Sequence, residues 1–193
     1  MTPPPLHLLL EEFIETDFGA AELKAMRAHL SEGITDEFPA VAAKAILDAL
    51  AAAQRRTPEQ AYTWAGTRLG ASITKLLPQA FRGHTSARSI ILQMSAISAA
   101  VGRQLLPETA LPEFWEDFLD GETIRIGFDG PAEVAWVLDG VVRGLGAHFG
   151  ERVEVGRPSG PAALTERRLL DVKVIPERRS RASAGLSASA SRG

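Results

Sequence analysis

The sequence contains no cysteine, which excludes disulfides, thiolate metal ligands and cysteine nucleophiles together and leaves the chain compatible with a reducing compartment. It has four histidines, none paired at metal-binding spacing, and a single tyrosine, Tyr62. No Gly-rich phosphate loop and no Gly-x-Ser-x-Gly occurs, and the acidic residues are dispersed over helix faces, so enzyme motifs are absent. Every apolar run falls far short of the ~18 residues of a spanning helix. The net charge of −3 is too small to suggest nucleic acid or a membrane surface as partner. The N-terminal MTPPPLHLLLEEF lacks a charged n-region and runs straight into Glu11 and Glu12, so it does not read as a signal peptide. A cytoplasmic, soluble, non-enzymatic protein is the expectation. With 45% hydrophobic residues in 193, the chain can bury one sizeable core.

The first half reads as helices. Leu6, Leu9, Leu10, Phe13 and Ile14 form one stripe opposite Glu11, Glu12 and Glu15, and Gly19 supplies a stop. Leu23, Met26 and Leu30 repeat the pattern, and a third helix after Phe38-Pro39 packs through Ala43, Ile46, Leu47 and Leu50. Thr57-Pro58-Glu59-Gln60 is a capping box with proline at the first helical position, and Pro78 ends the helix that it opens. A fifth helix is expected over residues 86–106, with a large apolar stripe through Ile90, Met94, Ile97, Val101 and Leu105 and a small one through Ser95, Ala99 and Gly102. Small residues leave space, for a neighbouring helix or for a ligand.

The period then changes. Glu122 to Phe128 alternates as a half-buried strand with Phe114 to Leu119 as its partner across a two-residue Asp120-Gly121 turn. Pro131 opens a helix with the stripe Val134, Leu138, Val141, Leu145 and Phe149, closed by Gly150, and Arg152–Val155 and Leu169–Ile175 read as strands. The fold class is therefore α+β: an N-terminal helical lobe over about residues 1–106, then a lobe of a small antiparallel sheet and a long helix over about 107–176. Residues 177–193 (ERRSRASAGLSASASRG) are low in large apolar groups and read as a disordered tail. Deleting the residues after Glu177 is expected to leave the melting temperature nearly unchanged in a thermal scan, since little apolar area is buried there. A drop of many degrees would show that the tail packs on the domain.

Three stretches carry a family resemblance: Leu8–Gly19 (LLLEEFIETDFG), Thr57–Phe81 (TPEQAYTWAGTRLGASITKLLPQAF) and Gly121–Val155. In their order and hydrophobic pattern they resemble the heme nitric oxide/oxygen-binding (H-NOX) sensor family, over about nine tenths of the chain. The resemblance implies heme as cofactor, a regulatory role, and signalling through a separate histidine kinase, cyclic-dinucleotide enzyme or cyclase. Two family motifs are altered here. The helix before the Pro-x-Phe of Pro112 and Phe114 ends, in the family, in an iron-ligating His; counting from Pro107 and Pro112 puts that position at Ala99, and matching Met94 and Ile97 puts it at Ser98. Neither residue can hold iron axially, which takes His, Cys, Met or Tyr. The family's Tyr-x-Ser-x-Arg clamp on the heme propionates falls at Gly127, Asp129 and Pro131. Proline there removes the guanidinium donors, and Asp puts an anion where carboxylates would dock.

Among the histidines, His7 and His29 read as surface residues, His148 is explained by the dipole at its helix C-terminus, and His84 is the fallback iron ligand. Tyr62 is a candidate pocket residue. Asp129 and Glu133 form a carboxylate pair one turn apart but fit better as a turn residue and a first-turn acid. The reading is a stand-alone H-NOX-like signalling domain with no cofactor expected, acting through a partner or a non-heme ligand. A gas sensor with a non-standard axial ligand is the rival, and a small enzyme a third. A volume left by heme is expected to close, with Trp136 or Phe128 filling it, because an empty apolar cavity costs stability.

Overall fold

The computed structural model describes residues 4–30, 39–105, 112–158 and 167–176. The proposed tail at 177–193 and the Pro107 turn lie outside them, as do the side chains of His29 and Gly102. Seven helices precede and interrupt a four-stranded sheet among these residues: α1 Leu6–Phe18, α2 Ala20–His29, α3 Pro39–Ala53, α4 Pro58–Leu76, α5 Ala87–Ile91, α6 Met94–Leu105, β1 Phe114–Phe118, β2 Thr123–Asp129, α7 Ala132–Phe149, β3 Glu151–Gly156 and β4 Arg167–Pro176. The sheet is antiparallel throughout in the order β1-β2-β4-β3. The α+β architecture, a helical lobe followed by a sheet with one long helix, is the one expected from the sequence.

Local chemistry accounts for the boundaries. In α4 the Thr57 Oγ1 accepts from the Gln60 N–H while the Thr57 N–H donates to Gln60 Oε1, the reciprocal box that the sequence spells. Gly150 closes α7 at φ 67°, a left-handed conformation that glycine adopts without strain. The alternation in β2 buries Ile124, Ile126 and Phe128 in the core, with Leu170 and Val172 of β4 beside them.

Two expectations are corrected. The fifth helix is not continuous: a turn at Leu92 and Gln93 divides it into α5 and α6. A tertiary partner sits at the break, because the Glu116 carboxylate of β1 accepts from the Ser95 N–H in the first turn of α6; at the other end of α5, Glu151 Oε2 accepts from the Ala87 N–H at 2.7 Å. The β1–β2 turn has three residues and not two. Phe118 pairs with Ile124 and the Leu119 N–H bonds the Thr123 carbonyl, leaving Asp120, Gly121 and Glu122 in the loop, where Asp120 Oδ1 accepts from two backbone N–H groups.

The closest helix contact is one that the periodicity did not show. Gly66 and Gly70 of α4 face the backbone of α7 at Val137 and Val141, while Gly140 and Gly144 of α7 face the backbone of α4 at Thr63 and Thr67. A Cβ on any of the four would collide with the opposing main chain. The helical lobe and the C-terminal lobe thus meet backbone to backbone.

Candidate functional site

Beside that contact lies a cavity of about 610 Å³, within the range of small-molecule pockets. Leu6 of α1, Ala43, Lys44 and Leu47 of α3, and Tyr62, Leu69 and Ile73 of α4 form one side, with Phe81. The rest of the wall is Ile90, Met94, Ile97, Ser98 and Val101 from α5 and α6, Pro112, Phe114 and Pro131, and one face of α7 from Glu133 to Leu145. Only Lys44, Tyr62, Ser98 and Glu133 among the lining residues are polar. The expected closure is therefore corrected. Trp136 packs edge-on to Tyr62, with ring centroids 6.0 Å apart, and Phe128 stacks on Phe114 at 5.3 Å, so both support the walls and neither fills the space.

The structure separates the sequence-derived site residues. Ser98 lines the cavity; Ala99 and Ser95 are exposed and do not, so the small stripe of α6 faces outward where it is described. Ser98 Oγ donates to the Ser95 carbonyl at 3.0 Å. Pro112 and Pro131 line the cavity. Gly127 and Asp129 lie on the opposite face of β2 from Phe128, and Gly127 is covered by the ring of its cross-strand partner Trp115. Of the three clamp positions only Pro131 lines the cavity, and it carries no donor side chain. Of the histidines, His84 is half-buried with Nδ1 3.2 Å from Ser89 Oγ and does not line the cavity, His148 is exposed with Nε2 3.1 Å from Thr74 Oγ1, and His7 is buried in the first turn of α1, correcting its surface reading. Glu133 lies in the first turn of α7 as expected, but it also lines the cavity.

Two contributors went unnoticed in the sequence. Lys44 and Asp48, one turn apart on α3, are ion-paired at 2.7 Å, and Asp48 Oδ1 accepts from the Tyr62 hydroxyl at 3.2 Å. Their spacing is that of any solvated helix pair, so nothing in the sequence marked them. Burial, and then the Asp48 charge, pushes the Tyr62 phenol up to about 12. A raised phenol favours the protonated folded state, so this contribution to stability is present below the ordinary value near ~10 and is lost as pH rises through about 12. Since Tyr62 is the only tyrosine, ultraviolet titration of the folded chain should show one ionisation near 12, and a midpoint near ~10 would place the phenol in water.

Heme does not fit these residues. Of the two candidate ligand positions on α6 the one that lines the cavity, residue 98, is a serine, Tyr62 holds its proton against Asp48, and Met94 offers a single neutral thioether. Among the described residues the one cation on the wall, Lys44, is already paired, and Glu133 opposes a dianion. Among the described residues, no group of three or more His, Asp or Glu could hold a metal ion, and no helix is long and apolar enough to cross a membrane. The outward position of Ala99 makes Ala99→Leu neutral within about 0.5 kcal/mol. Ser98→Leu instead adds apolar atoms to the cavity and is expected to be neutral or stabilising by about 1 kcal/mol in urea denaturation. The reverse ranking would put Ala99 on the wall.

No family model and no curated protein matches this sequence. Solved structures do. An H-NOX protein from S. oneidensis in the Fe(II)NO ligation state is similar at a TM-score of 0.73 and 11% identity, over 88% of this chain and 97% of that one. The H-NOX domain from Shewanella oneidensis in the Fe(II)CO state gives 0.74 and 11%, over 92% and 100%. The Fe(II) unliganded H-NOX protein from K. algicida gives 0.68 and 10%, over 92% and 98%. At such identities the likeness speaks to architecture, and the chain has the H-NOX fold.

Proposed function

We propose that residues 1–176 form a non-enzymatic signalling domain in which the cavity takes a small apolar ligand other than heme, with residues 177–193 as a tail. The observation that carries this reading is the cavity itself: about 610 Å³, walled by aliphatic and aromatic side chains, with serine at residue 98 and no histidine on its described wall. Occupancy is passed to a separate protein, and the fold points to the partner classes of H-NOX domains, a histidine kinase, a cyclic-dinucleotide enzyme or a cyclase. The cysteine-free sequence suits a cytoplasmic setting. The rival gas-sensor reading needs an axial ligand, and its fallback, His84, is not on the cavity wall. The test uses the neutral probe N-phenyl-1-naphthylamine. Its fluorescence should saturate at one probe per chain, and Val137→Trp, which fills the cavity, should abolish the signal. No binding, or binding untouched by Val137→Trp, would remove the support for this reading.

A further inference from the structure

The distribution of charge on the cavity wall narrows the ligand class. Lys44, the only cation lining it among the described residues, is neutralised by Asp48 at 2.7 Å, and Asp48 is held further by the Tyr62 hydroxyl. Glu133, the only anion lining it among the described residues, has no salt bridge to any of them and is half-buried. The N-terminus of α7, with Pro131 as a cap that makes no side-chain bond, contributes a partial positive charge of roughly half a unit. Glu133 outweighs it. The unpaired side-chain charge on the described wall is therefore negative, carried by Glu133 in an otherwise largely apolar lining.

Resting on the reading that this cavity holds a non-heme apolar ligand, we propose that it selects an organic cation, an apolar amine or quaternary ammonium, with Glu133 as its counter-ion. The body of such a molecule meets the aliphatic wall, and rings on that wall, Phe81, Phe114 and Tyr62, offer faces that attract ammonium groups. An anionic amphiphile is disfavoured by the same field. At ~30 Å³ per water-sized unit the volume has room for roughly 20 non-hydrogen atoms.

Three probes of equal chain length and different charge test this: dodecylammonium, dodecanol and dodecanoate, titrated calorimetrically into the full chain below their self-association concentrations. Dodecylammonium is expected to bind one to one and at least tenfold more tightly than dodecanol, with dodecanoate weakest. Glu133→Gln should cut the ammonium preference to less than threefold without changing dodecanol, and Glu133→Asp should retain it. If dodecanol binds but the ammonium is no tighter, if dodecanoate binds best, or if Glu133→Gln keeps the preference, the charge assignment is overturned while the apolar-ligand reading stands. If none of the three binds, that reading fails and this inference goes with it.

Discussion

Gly140→Ala should destabilise the protein by about 2 kcal/mol, and Gly140→Val by about 3 or more. Most glycine-to-alanine changes inside a helix gain up to ~1 kcal/mol from propensity, so the sign here is set by the opposing helix. A Cβ at 140 meets the Thr63 carbonyl oxygen, lies 2.7 Å from the Thr67 nitrogen and 2.9 Å from the Gly66 carbonyl carbon. These are main-chain atoms that cannot rotate away as a side-chain tip can, so α4 and α7 must separate and loosen the interface between the lobes. Gly70→Ala should behave alike from the other side, because it meets the backbone of Val141. Gly121→Ala is the control, with nothing within 4 Å of the added atom. Urea denaturation midpoints at unchanged slope measure all three. A Gly140→Ala protein as stable as the parent would show that the helices do not cross this closely.

Ser98→His is expected to confer heme binding at least tenfold tighter than that of the parent, with a defined axial spectrum, whereas Ala99→His should confer none. Both substitutions add an imidazole to the same turn of α6. Only residue 98 points into the cavity; residue 99 is exposed. The gain should stop short of tight binding, because Glu133 still lines the wall and Pro131 beside it has no donor for the propionates. Parallel absorption titrations decide between the two positions, and a spectrum from Ala99→His alone would reverse the orientation assigned to α6.

Much of the fold was legible because its signals are local. The Thr57–Gln60 capping box, the Gly150 stop and the alternation through Ile124, Ile126 and Phe128 each state a boundary or a face within a few residues. What failed was set by distant partners. At the α5–α6 break the new helix start is met by the Glu116 carboxylate of β1, which no helical periodicity contains. The small stripe on α6 suggests close approach or a pocket, yet Ser95 and Ala99 are exposed, and the close approach belongs to glycines on α4 and α7 that the apolar periodicity does not single out. Pattern matching left two registers on α6, of which Ser98 lines the cavity and Ala99 is exposed; on β2, Gly127 and Asp129 face away from Phe128, whereas Pro131, next in the same motif, lines the cavity, a division that the pattern alone does not show. The cavity was expected to close because voids are costly, but its walls are side chains already engaged elsewhere, Trp136 with Tyr62 and Phe128 with Phe114. Lys44 and Asp48 became visible as neighbours of the site only when α3 and α4 were brought together.

The central claim is an H-NOX fold without an H-NOX heme site, and titration of the purified parent chain with hemin under reducing conditions, followed by absorption, tests it directly. The expected result is weak, non-saturating binding with no stoichiometric Soret band, as follows from Ser98 at the α6 position, a protonated Tyr62 and Glu133 on the wall. A tight one-to-one complex with a defined axial spectrum would contradict the account, and loss of that spectrum in His84→Ala would identify the ligand.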